Sequence, residues 1–389
     1  MRIAYVTETY PPEINGVALT VERTVGFLRA RGHDVDLIRP QQRGETRRPD
    51  REEWLTAGIP LPMYPELRCG LALPATVARR FARQAPDLVH IATEGPLGWA
   101  ALSAARRLGL PATTDFRTNF HTYSKYYRLG WLQPVIARYL RIFHNRATRT
   151  FVPTRLAQRA LAESGFHRLE VAGRGVDTAL FSPKRRSPGL REAWGAAAGE
   201  PPVLLYVGRL AREKRVDLAL RAFDAARAAV PAACMIVVGD GPQRRELEAR
   251  FPAARFVGQR RGEDLARHYA SADLFVFPSE SETFGNVTLE ALASGLAVVG
   301  FRSAAVAELV AHGDNGFAVE PGDDPAFIAT LAAACRRAAA PDGGLAAMRR
   351  QARLTALAAD WNTALGHFEK CLLRAVAGFP ERRRRVALA

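Results

Sequence analysis

Two glutamates flank the predicted start of a helix in the second half of the chain. An apolar run ends at Phe277, a loop follows to Gly285, and a helical pattern begins near Asn286. Glu282 lies in the loop, and Glu290 lies one turn inside the helix. N–H groups at a helix start bind anions or polar oxygens, and carboxylates accept hydrogen bonds from hydroxyls. The pattern therefore suits a sugar joined to a phosphate. Taken alone, Glu282 is typical of a capping or solvated residue, and Glu290 is typical of a charge on the surface of a helix.

A basic turn follows the apolar strand predicted at 203–207. Gly208 allows close approach of the backbone, and Arg209 and Lys214 can reach over the strand end. An arginine fork and a lysine point charge together suit a diphosphate. A solvated basic turn is the alternative for this segment on its own.

A second glycine turn, Gly239-Asp240-Gly241-Pro242, lies between a predicted strand and a predicted helix. It does not match the GxGxxG pattern, and the chain has no GxxxxGK[ST] motif. Nicotinamide binding and P-loop chemistry therefore lose support.

Together these motifs resemble those of the retaining glycosyltransferases of family 4, which have the GT-B fold. The resemblance extends from about Tyr10 to about Gly316. It is carried by Tyr10-Pro11-Pro12 with Asn15-Gly16, the segment 173–181, Arg209 with Glu213-Lys214, Gly239-Asp240-Gly241-Pro242, and Glu282-x7-Glu290. The family often has two glycines where this chain has Asn15-Gly16, so only the second glycine is carried over.

The resemblance implies a role for each of these residues. Glu290 would bind the ribose of a nucleotide, Glu282 a hydroxyl of the transferred sugar, and Arg209 and Lys214 the diphosphate. Because these cations would neutralise the leaving group, we predict no metal and no cofactor. The other donor-binding residues implied are Gly16, Gly239, Phe284, Gly285 and Asn286.

The segment 114–127 resembles the histidine-bearing loop of glycolipid and mannosyl transferases in this family. His121 follows Asp115 among polar residues. An isolated histidine is more often structural, but the resemblance makes His121 a catalytic candidate, with Arg209, Lys214 and Glu282, that touches the donor sugar or its developing charge.

Strand-sized apolar runs alternate with helical patterns along the chain, which is typical of βαβ units and parallel sheets. We predict an α/β protein of GT-B fold, with two Rossmann-like doubly wound domains facing across a cleft. The proline-rich residues 40–75 are predicted as loops, and residues beyond about 324 as helical. The predicted divisions are an acceptor-side domain 1–180, a hinge 181–200, a nucleotide-sugar domain 201–360, and a helix with a basic tail, 361–389, that packs back on the first domain.

Composition narrows the class of protein. The chain has 389 residues, of which 48% are hydrophobic and 24% charged, so it is long enough for two or three domains and is not disordered. It has no apolar run of membrane-spanning length, and the N-terminus leads directly into a strand without a signal-peptide pattern. The four cysteines form no metal-binding spacing. We therefore expect a cytoplasmic protein.

The net charge of +16 reflects in part a general preference for arginine, but residues 116–162 contain basic residues and no acidic ones. Aromatic and apolar residues recur among these arginines, as on helices that lie on membranes. We predict a lipid or glycolipid acceptor and peripheral attachment to the anionic inner face of the cell membrane. An ordinary core helix is the alternative. The candidate acceptor or membrane residues are Tyr126, Tyr127, Arg128 and Trp131.

The resulting interpretation is a retaining hexosyltransferase that uses a nucleotide sugar. Similarity to mannosyltransferases favours GDP-mannose; UDP-glucose, UDP-glucuronate and UDP-sulfoquinovose, with diacylglycerol as acceptor, remain alternatives, as does a soluble or polysaccharide-precursor acceptor. A glycoside hydrolase with Glu282 and Glu290 as its acid and base is less favoured, as is an epimerase or phosphorylase of GT-B fold. A basic nucleic-acid-binding protein is disfavoured because no such motif is present.

Overall fold

The computed structural model describes residues 1–13, 16–42, 45, 52–61, 64–117, 133–196, 201–340 and 344–380. These residues form two compact units. The first contains the described residues up to Gly173 and those from Ala364 onwards, and the second contains those of Arg174–Thr363. Among the described residues, the chain passes from the first unit to the second after Gly173 and returns after Thr363.

The first unit is built on a sheet whose strands alternate with helices in the chain. The strands are β1 Arg2–Val6, β2 Asp34–Pro40, β3 Glu53–Leu61, β4 Tyr64–Leu71, β5 Leu88–Ile91, β6 Ala112–Asp115, β7 Arg149–Val152 and β8 Leu169–Val171. Their order in the sheet is β4-β3-β2-β1-β5-β6-β7-β8, and every pair is parallel except β3 with β4. The order of the strands reverses between β1 and β5, as in a doubly wound sheet.

Five helices are described in this part of the chain: α1 Gly16–Ala30, α2 Pro74–Gln84, α3 Pro96–Arg107, α4 Gln133–His144 and α5 Arg155–Glu163. One face of α1 is buried, with Val21, Val25 and Leu28 at 0–1% exposure. The helix ends before Gly32, whose φ of +81° is the left-handed conformation that glycine adopts readily.

The prediction of loops for residues 40–75 is wrong. Within that range β3 pairs parallel with β2, and β4 pairs antiparallel with β3 at the edge of the sheet. Proline disfavours central strands, but it is tolerated at edges and bulges. Pro60 lies at the irregular point of the β3–β4 pairing, and Pro65 lies on the edge strand β4.

The second unit has a fully parallel sheet. Its strands are β9 Val203–Val207, β10 Cys234–Val238, β11 Arg255–Gly258, β12 Leu274–Phe277, β13 Ala297–Phe301 and β14 Gly316–Val319, in the order β11-β10-β9-β12-β13-β14. The strands β9, β12 and β13 are buried at every position, because helices cover both faces of the sheet. The short edge strands β8 and β14 were not predicted.

In the described part of the chain, the remaining helices alternate with these strands as far as β14, and three helices then follow one another without a strand between them. The remaining helices are α6 Pro188–Ala193, α7 Val216–Ala229, α8 Arg244–Arg250, α9 Gly262–Ser271, α10 Asn286–Ala293, α11 Ala304–Leu309, α12 Asp324–Ala338, α13 Ala346–Leu357 and α14 Trp361–Ala377. In the first unit, Phe368, Cys371 and Leu372 of α14 share a core cluster with Tyr5 and Phe151. Helix α6 lies in the predicted linker 181–200, whose role as a hinge remains a prediction.

Candidate functional site

The loops that carry the predicted donor-binding residues leave neighbouring strands of the second sheet. The strand β9 pairs with β10 on one side and β12 on the other, and the chain order reverses between β9 and β12. Open α/β sheets bind ligands at the carboxyl ends of the strands at such a reversal. Arg209 and Lys214 follow β9, and Glu282 follows β12. The topology therefore brings both loops to one place.

Lys214 and Glu282 are in direct contact. Nζ of Lys214 lies 2.5 Å from Oε1 of Glu282, and only 12% and 18% of these side chains are exposed. The hydroxyl of Ser279 donates to the same carboxylate oxygen at 3.1 Å. Ser279 is itself buried, and its carbonyl accepts a hydrogen bond of 3.2 Å from the hydroxyl of Ser303. The carboxylate that sequence assigns to the sugar is thus held by a cation and a serine.

Arg209 differs from Lys214 in being exposed, and it has no ion pair with any described residue. Its backbone is held instead: the hydroxyl of buried Tyr206 donates to the Arg209 carbonyl at 3.3 Å. Burial raises the pKa of Tyr206 well above its ordinary value, so the hydroxyl stays protonated and can donate. The guanidinium is therefore available to an anion from solvent.

The loops after β9 and β10 approach closely enough to require glycine. A Cβ atom at Gly239, whose φ is +141°, would collide with the carbonyl oxygen of Gly208. A backbone hydrogen bond of 2.9 Å from Leu210 to Asp240 joins the same loops. The glycine turn predicted at Gly239 thus fixes the loop that carries Arg209.

The helix α10 begins at Asn286, as the sequence predicts. Gly285 precedes it with a φ of +85°, and Phe284 before that is buried, with its carbonyl accepting a hydrogen bond of 2.8 Å from Ala305. The first N–H groups of an α-helix have no acceptor within the helix. This turn therefore presents backbone donors beside Glu282, whose Cγ would lie 3.3 Å from a Cβ at Gly285.

Glu290 lies on α10 and is partly exposed. Its Oε2 accepts a hydrogen bond of 2.9 Å from the hydroxyl of Tyr269, which is fully buried on α9. A surface carboxylate is therefore anchored from inside the unit.

Three further residues of this site were missed by the sequence analysis. Ser279 and Tyr269 hold the two glutamates. Arg215 joins the loops after β9 and β12 by an ion pair with Glu280, and it also pairs at 2.6 Å with Asp324 at the start of α12. Of these three residues, only Ser279 could have been identified from the sequence, because it lies three residues before Glu282. The partners of Tyr269 and Arg215 are distant in sequence and become neighbours through the fold.

The other predicted residues lie elsewhere. Gly16 is the first residue of α1 in the first unit. The candidates His121, Tyr126, Tyr127, Arg128 and Trp131 lie outside the described residues.

A cluster of buried ionisable side chains lies at the carboxyl ends of β1, β5 and β6 in the first unit. The sequence analysis did not identify this cluster. Glu8 accepts a backbone hydrogen bond of 2.9 Å from Leu97, and burial raises its pKa to about 7. Burial also raises the pKa of Glu94 to about 8, and Oε1 of Glu94 has no hydrogen-bond partner in the part of the chain that the structure describes. Asp115 accepts a hydrogen bond of 2.5 Å from Nε of Arg117.

The described ranges contain no group of three or more His, Cys, Asp or Glu side chains placed to hold a metal ion. None of the helices described there combines the length and the apolar character needed to cross a bilayer.

Comparison with protein families gives the same assignment for both halves of the chain. Residues 14–180 match the model described as Glycosyltransferase Family 4, and residues 201–337 match the model described as Glycosyl transferases group 1. The chain belongs to glycosyltransferase family 4. It is a glycosyltransferase, as the motifs predicted.

Relatives of known activity cover nearly the whole of this glycosyltransferase. The GDP-mannose-dependent alpha-mannosyltransferase of Mycolicibacterium smegmatis is 35% identical to it over 96% of the chain and 98% of its own length. The sulfoquinovosyl transferase of Arabidopsis thaliana is 31% identical over 83% of the chain and 64% of its own length.

The fold is that of GT-B glycosyltransferases. The crystal structure of the Anabaena protein HepE in complex with UDP superimposes with a TM-score of 0.74 at 20% identity, covering 96% of this glycosyltransferase and all of HepE. This likeness confirms the predicted fold class.

Proposed function

We propose that this glycosyltransferase moves a mannosyl group from GDP-mannose to a lipid or glycolipid acceptor and retains the configuration at the anomeric carbon. The contact between Lys214 and Glu282 carries the proposal, because it joins a cation suited to the diphosphate with a carboxylate suited to a sugar hydroxyl. The sugar–phosphate bond of a donor lies between those two parts. The 35% identity to GDP-mannose-dependent enzymes supports the choice of donor.

In the proposed reaction, the bond from the anomeric carbon to the diphosphate oxygen breaks and leaves an oxocarbenium-like sugar. Lys214 and Arg209 stabilise the negative charge that grows on the leaving group, a preorganised contribution often worth about 2–4 kcal/mol. The acceptor oxygen bonds to the same face of the anomeric carbon, and its proton passes to the departing diphosphate. We prefer this front-face course because the sequence offers no residue that stands out as a nucleophile.

We further propose that transfer requires no metal ion, since the two cations occupy the loop where the diphosphate would bind. Turnover should then be equal in EDTA and in millimolar Mg²⁺. A large loss in EDTA that Mg²⁺ restores would contradict this part of the proposal.

The alternative donor is a UDP sugar, which the 31% identity to a sulfoquinovosyl transferase favours. GDP-mannose, UDP-glucose, UDP-glucuronate and UDP-sulfoquinovose can be compared at equal concentration by the shift in Tm, because a ligand that binds only the folded state stabilises it by mass action. Transfer to a lipid extract then follows with the donors that bind. Stabilisation and transfer by GDP-mannose support the proposal, whereas transfer only from a UDP sugar would overturn the assignment of the donor.

For the acceptor, we propose that α4 rests on the inner face of an anionic membrane. Leu140 and Phe143 of α4 are buried, whereas Val135 is 64% exposed and Ile142 is 38% exposed. The exposed side also carries Arg138 and Arg141. Apolar side chains beside arginines on one helix face suit a lipid headgroup surface.

A further inference from the structure

The carboxylate of Glu290 is held by a tyrosine that no ligand can reach. The Tyr269 hydroxyl donates to Oε2 of Glu290 at 2.9 Å. Tyr269 has no exposed surface, whereas Glu290 is partly exposed. The hydrogen bond therefore links the interior of the second unit to a residue at its surface.

The position of the hydroxyl is fixed by aromatic packing. The ring of Tyr269 lies edge-on to Phe181, with centroids 5.6 Å apart, and is tilted against Phe275 at 5.8 Å. Phe275 belongs to β12, the strand that ends just before the loop of Glu282. A buried tyrosine in such a setting has little rotational freedom, so its hydroxyl is a fixed point of attachment.

The direction of the hydrogen bond is also fixed. Burial raises the pKa of Tyr269 well above its ordinary value, with a further contribution from the neighbouring Glu290 charge. The phenol therefore stays protonated and donates a hydrogen bond to the carboxylate. Hydrogen bonds from a neutral donor to a charged acceptor are among the stronger ones in proteins.

We propose that Tyr269 is a positioning residue, which holds the Glu290 carboxylate in the orientation that receives the ribose hydroxyls of the donor nucleotide. The inference rests on the proposed function, in which Glu290 binds that ribose. A glutamate on a helix surface otherwise samples several rotamers, and binding would have to select one of them. The hydrogen bond from Tyr269 makes that selection before the nucleotide arrives, which improves affinity without a contact between Tyr269 and the ligand.

The test compares ribose recognition in Tyr269→Phe and in the wild type. The Kd of GDP and that of 2′,3′-dideoxy-GDP are measured by calorimetry, together with the same pair for UDP. The wild type should bind the ribonucleotide more tightly than its dideoxy analogue. In Tyr269→Phe that preference should fall by about fivefold to tenfold, because one charge-assisted hydrogen bond has been lost. Binding of the dideoxy analogue should hardly change.

A double-mutant cycle shows whether Tyr269 acts through Glu290. Tyr269→Phe should weaken GDP binding in the wild type but have no further effect in Glu290→Ala. Equal weakening in both backgrounds would overturn the proposal. So would a Tyr269→Phe variant with a lower Tm and an unchanged preference for the ribonucleotide.

Two further measurements separate this proposal from simpler explanations. Phe275→Leu trims the packing on one side of the Tyr269 ring but keeps the hydroxyl and the contact with Phe181, so it should lower Tm and reduce the ribose preference less than Tyr269→Phe does. An equal or larger loss of the preference in Phe275→Leu would assign the preference to packing and overturn the role of the hydroxyl. If Glu290→Ala itself leaves both nucleotide affinities unchanged, the assignment of Glu290 to the ribose fails; if it weakens GDP binding while Tyr269→Phe does not, only the positioning role fails.

Discussion

Nζ of Lys214 lies 2.5 Å from Oε1 of Glu282, which places the residue proposed for the leaving diphosphate against the residue proposed for the transferred sugar. Only 12% and 18% of the two side chains are exposed, so solvent screens the pair weakly. The pair fixes both groups before any ligand arrives. It also means that neither residue can be removed without changing the surroundings of the other.

We expect Lys214→Met and Glu282→Gln to be less harmful to stability together than apart. Each single variant leaves a mostly buried charge without this partner and should lower the free energy of unfolding by about 1–3 kcal/mol. The double variant removes both charges and should lose less than the sum of the two losses. Urea unfolding of the four proteins measures this coupling, and strictly additive losses would show that the contact has no energetic role. All three variants should lose transfer activity.

Arg209→Ala should reduce kcat/KM by the equivalent of about 2–4 kcal/mol, because a preorganised charge that stabilises the leaving group is lost. The exposed guanidinium has no ion pair with a described residue, so Tm should stay unchanged. Arg212→Ala is the control, since Arg212 is also exposed and lies three residues further along the same turn. Equal kinetic effects of the two substitutions would show that Arg209 acts only through the general attraction of a positive charge for the anionic donor.

The position of this site could be predicted from sequence because its residues follow strands. Continuous apolar runs identify β9 and β12, and the residues after them must share one edge of the sheet if the sheet is parallel. The start of α10 was also predictable, because Gly285 separates a loop from a helical pattern. The local sequence pattern therefore predicts both the start of this helix and the candidate carboxylates Glu282 and Glu290.

Contacts between distant segments could not be predicted in this way. Tyr269 and Glu290 lie on different helices, and their meeting depends on how α9 and α10 pack on the sheet. The same holds for β3, which pairs with β2, and for β4, which pairs with β3. The prolines of residues 40–75 disfavour a central strand, but they could not show that β4 would lie at the edge of the sheet.

Gly239→Ala should destabilise the second unit and weaken nucleotide binding. The added methyl group would collide with the Gly208 carbonyl, and the φ of +141° is strained for any other residue. The loop that carries Arg209 would have to shift. Gly313→Ala is the control: Gly313 has a φ of +87° but open space around its Cβ position, so its variant reports the backbone strain alone. Thermal unfolding with and without GDP measures both effects, and equal behaviour of the two variants would contradict the close approach.

Stability should fall between about pH 5 and pH 8 because of Glu94. Burial raises its pKa in the folded protein from 4.5 to about 8, so the folded state binds a proton that the unfolded state has already released across this range. The contribution of this group is therefore complete below pH 4.5 and is lost as the pH rises towards 8. Glu8 acts in the same direction over a narrower range, because its pKa is raised only to about 7: backbone N–H groups of Gly70 and Leu97 favour its charged form.

Glu94→Gln tests this dependence. The amide imitates the protonated acid, so the variant should resemble the wild type near pH 5 and be more stable than it near pH 8. Glu163→Gln, at an exposed position on α5, is the control and should leave the slope unchanged. The quantity to compare is the change in Tm from pH 5 to pH 8. A Glu94→Gln profile parallel to that of the wild type would show that the buried carboxyl does not titrate in this range.

Binding to membranes should depend on the exposed face of α4. Flotation with vesicles that contain phosphatidylglycerol should recover the protein, and vesicles of phosphatidylcholine alone should not. High salt should reduce recovery, because it screens the attraction between arginines and lipid phosphates. Each arginine near an anionic bilayer contributes about 1 kcal/mol, so Arg138→Glu with Arg141→Glu should weaken attachment at least about tenfold.

The control for this charge reversal is a variant with Arg250→Glu and Arg336→Glu, two exposed positions in the second unit. It changes the net charge by the same amount, so it separates the effect of α4 from that of overall charge. Val135→Ser should also weaken attachment, since it removes apolar surface without altering charge. Recovery that is equal on neutral and anionic vesicles, or equal losses in the two charge-reversal variants, would remove α4 from the membrane contact while leaving the transfer reaction unaffected.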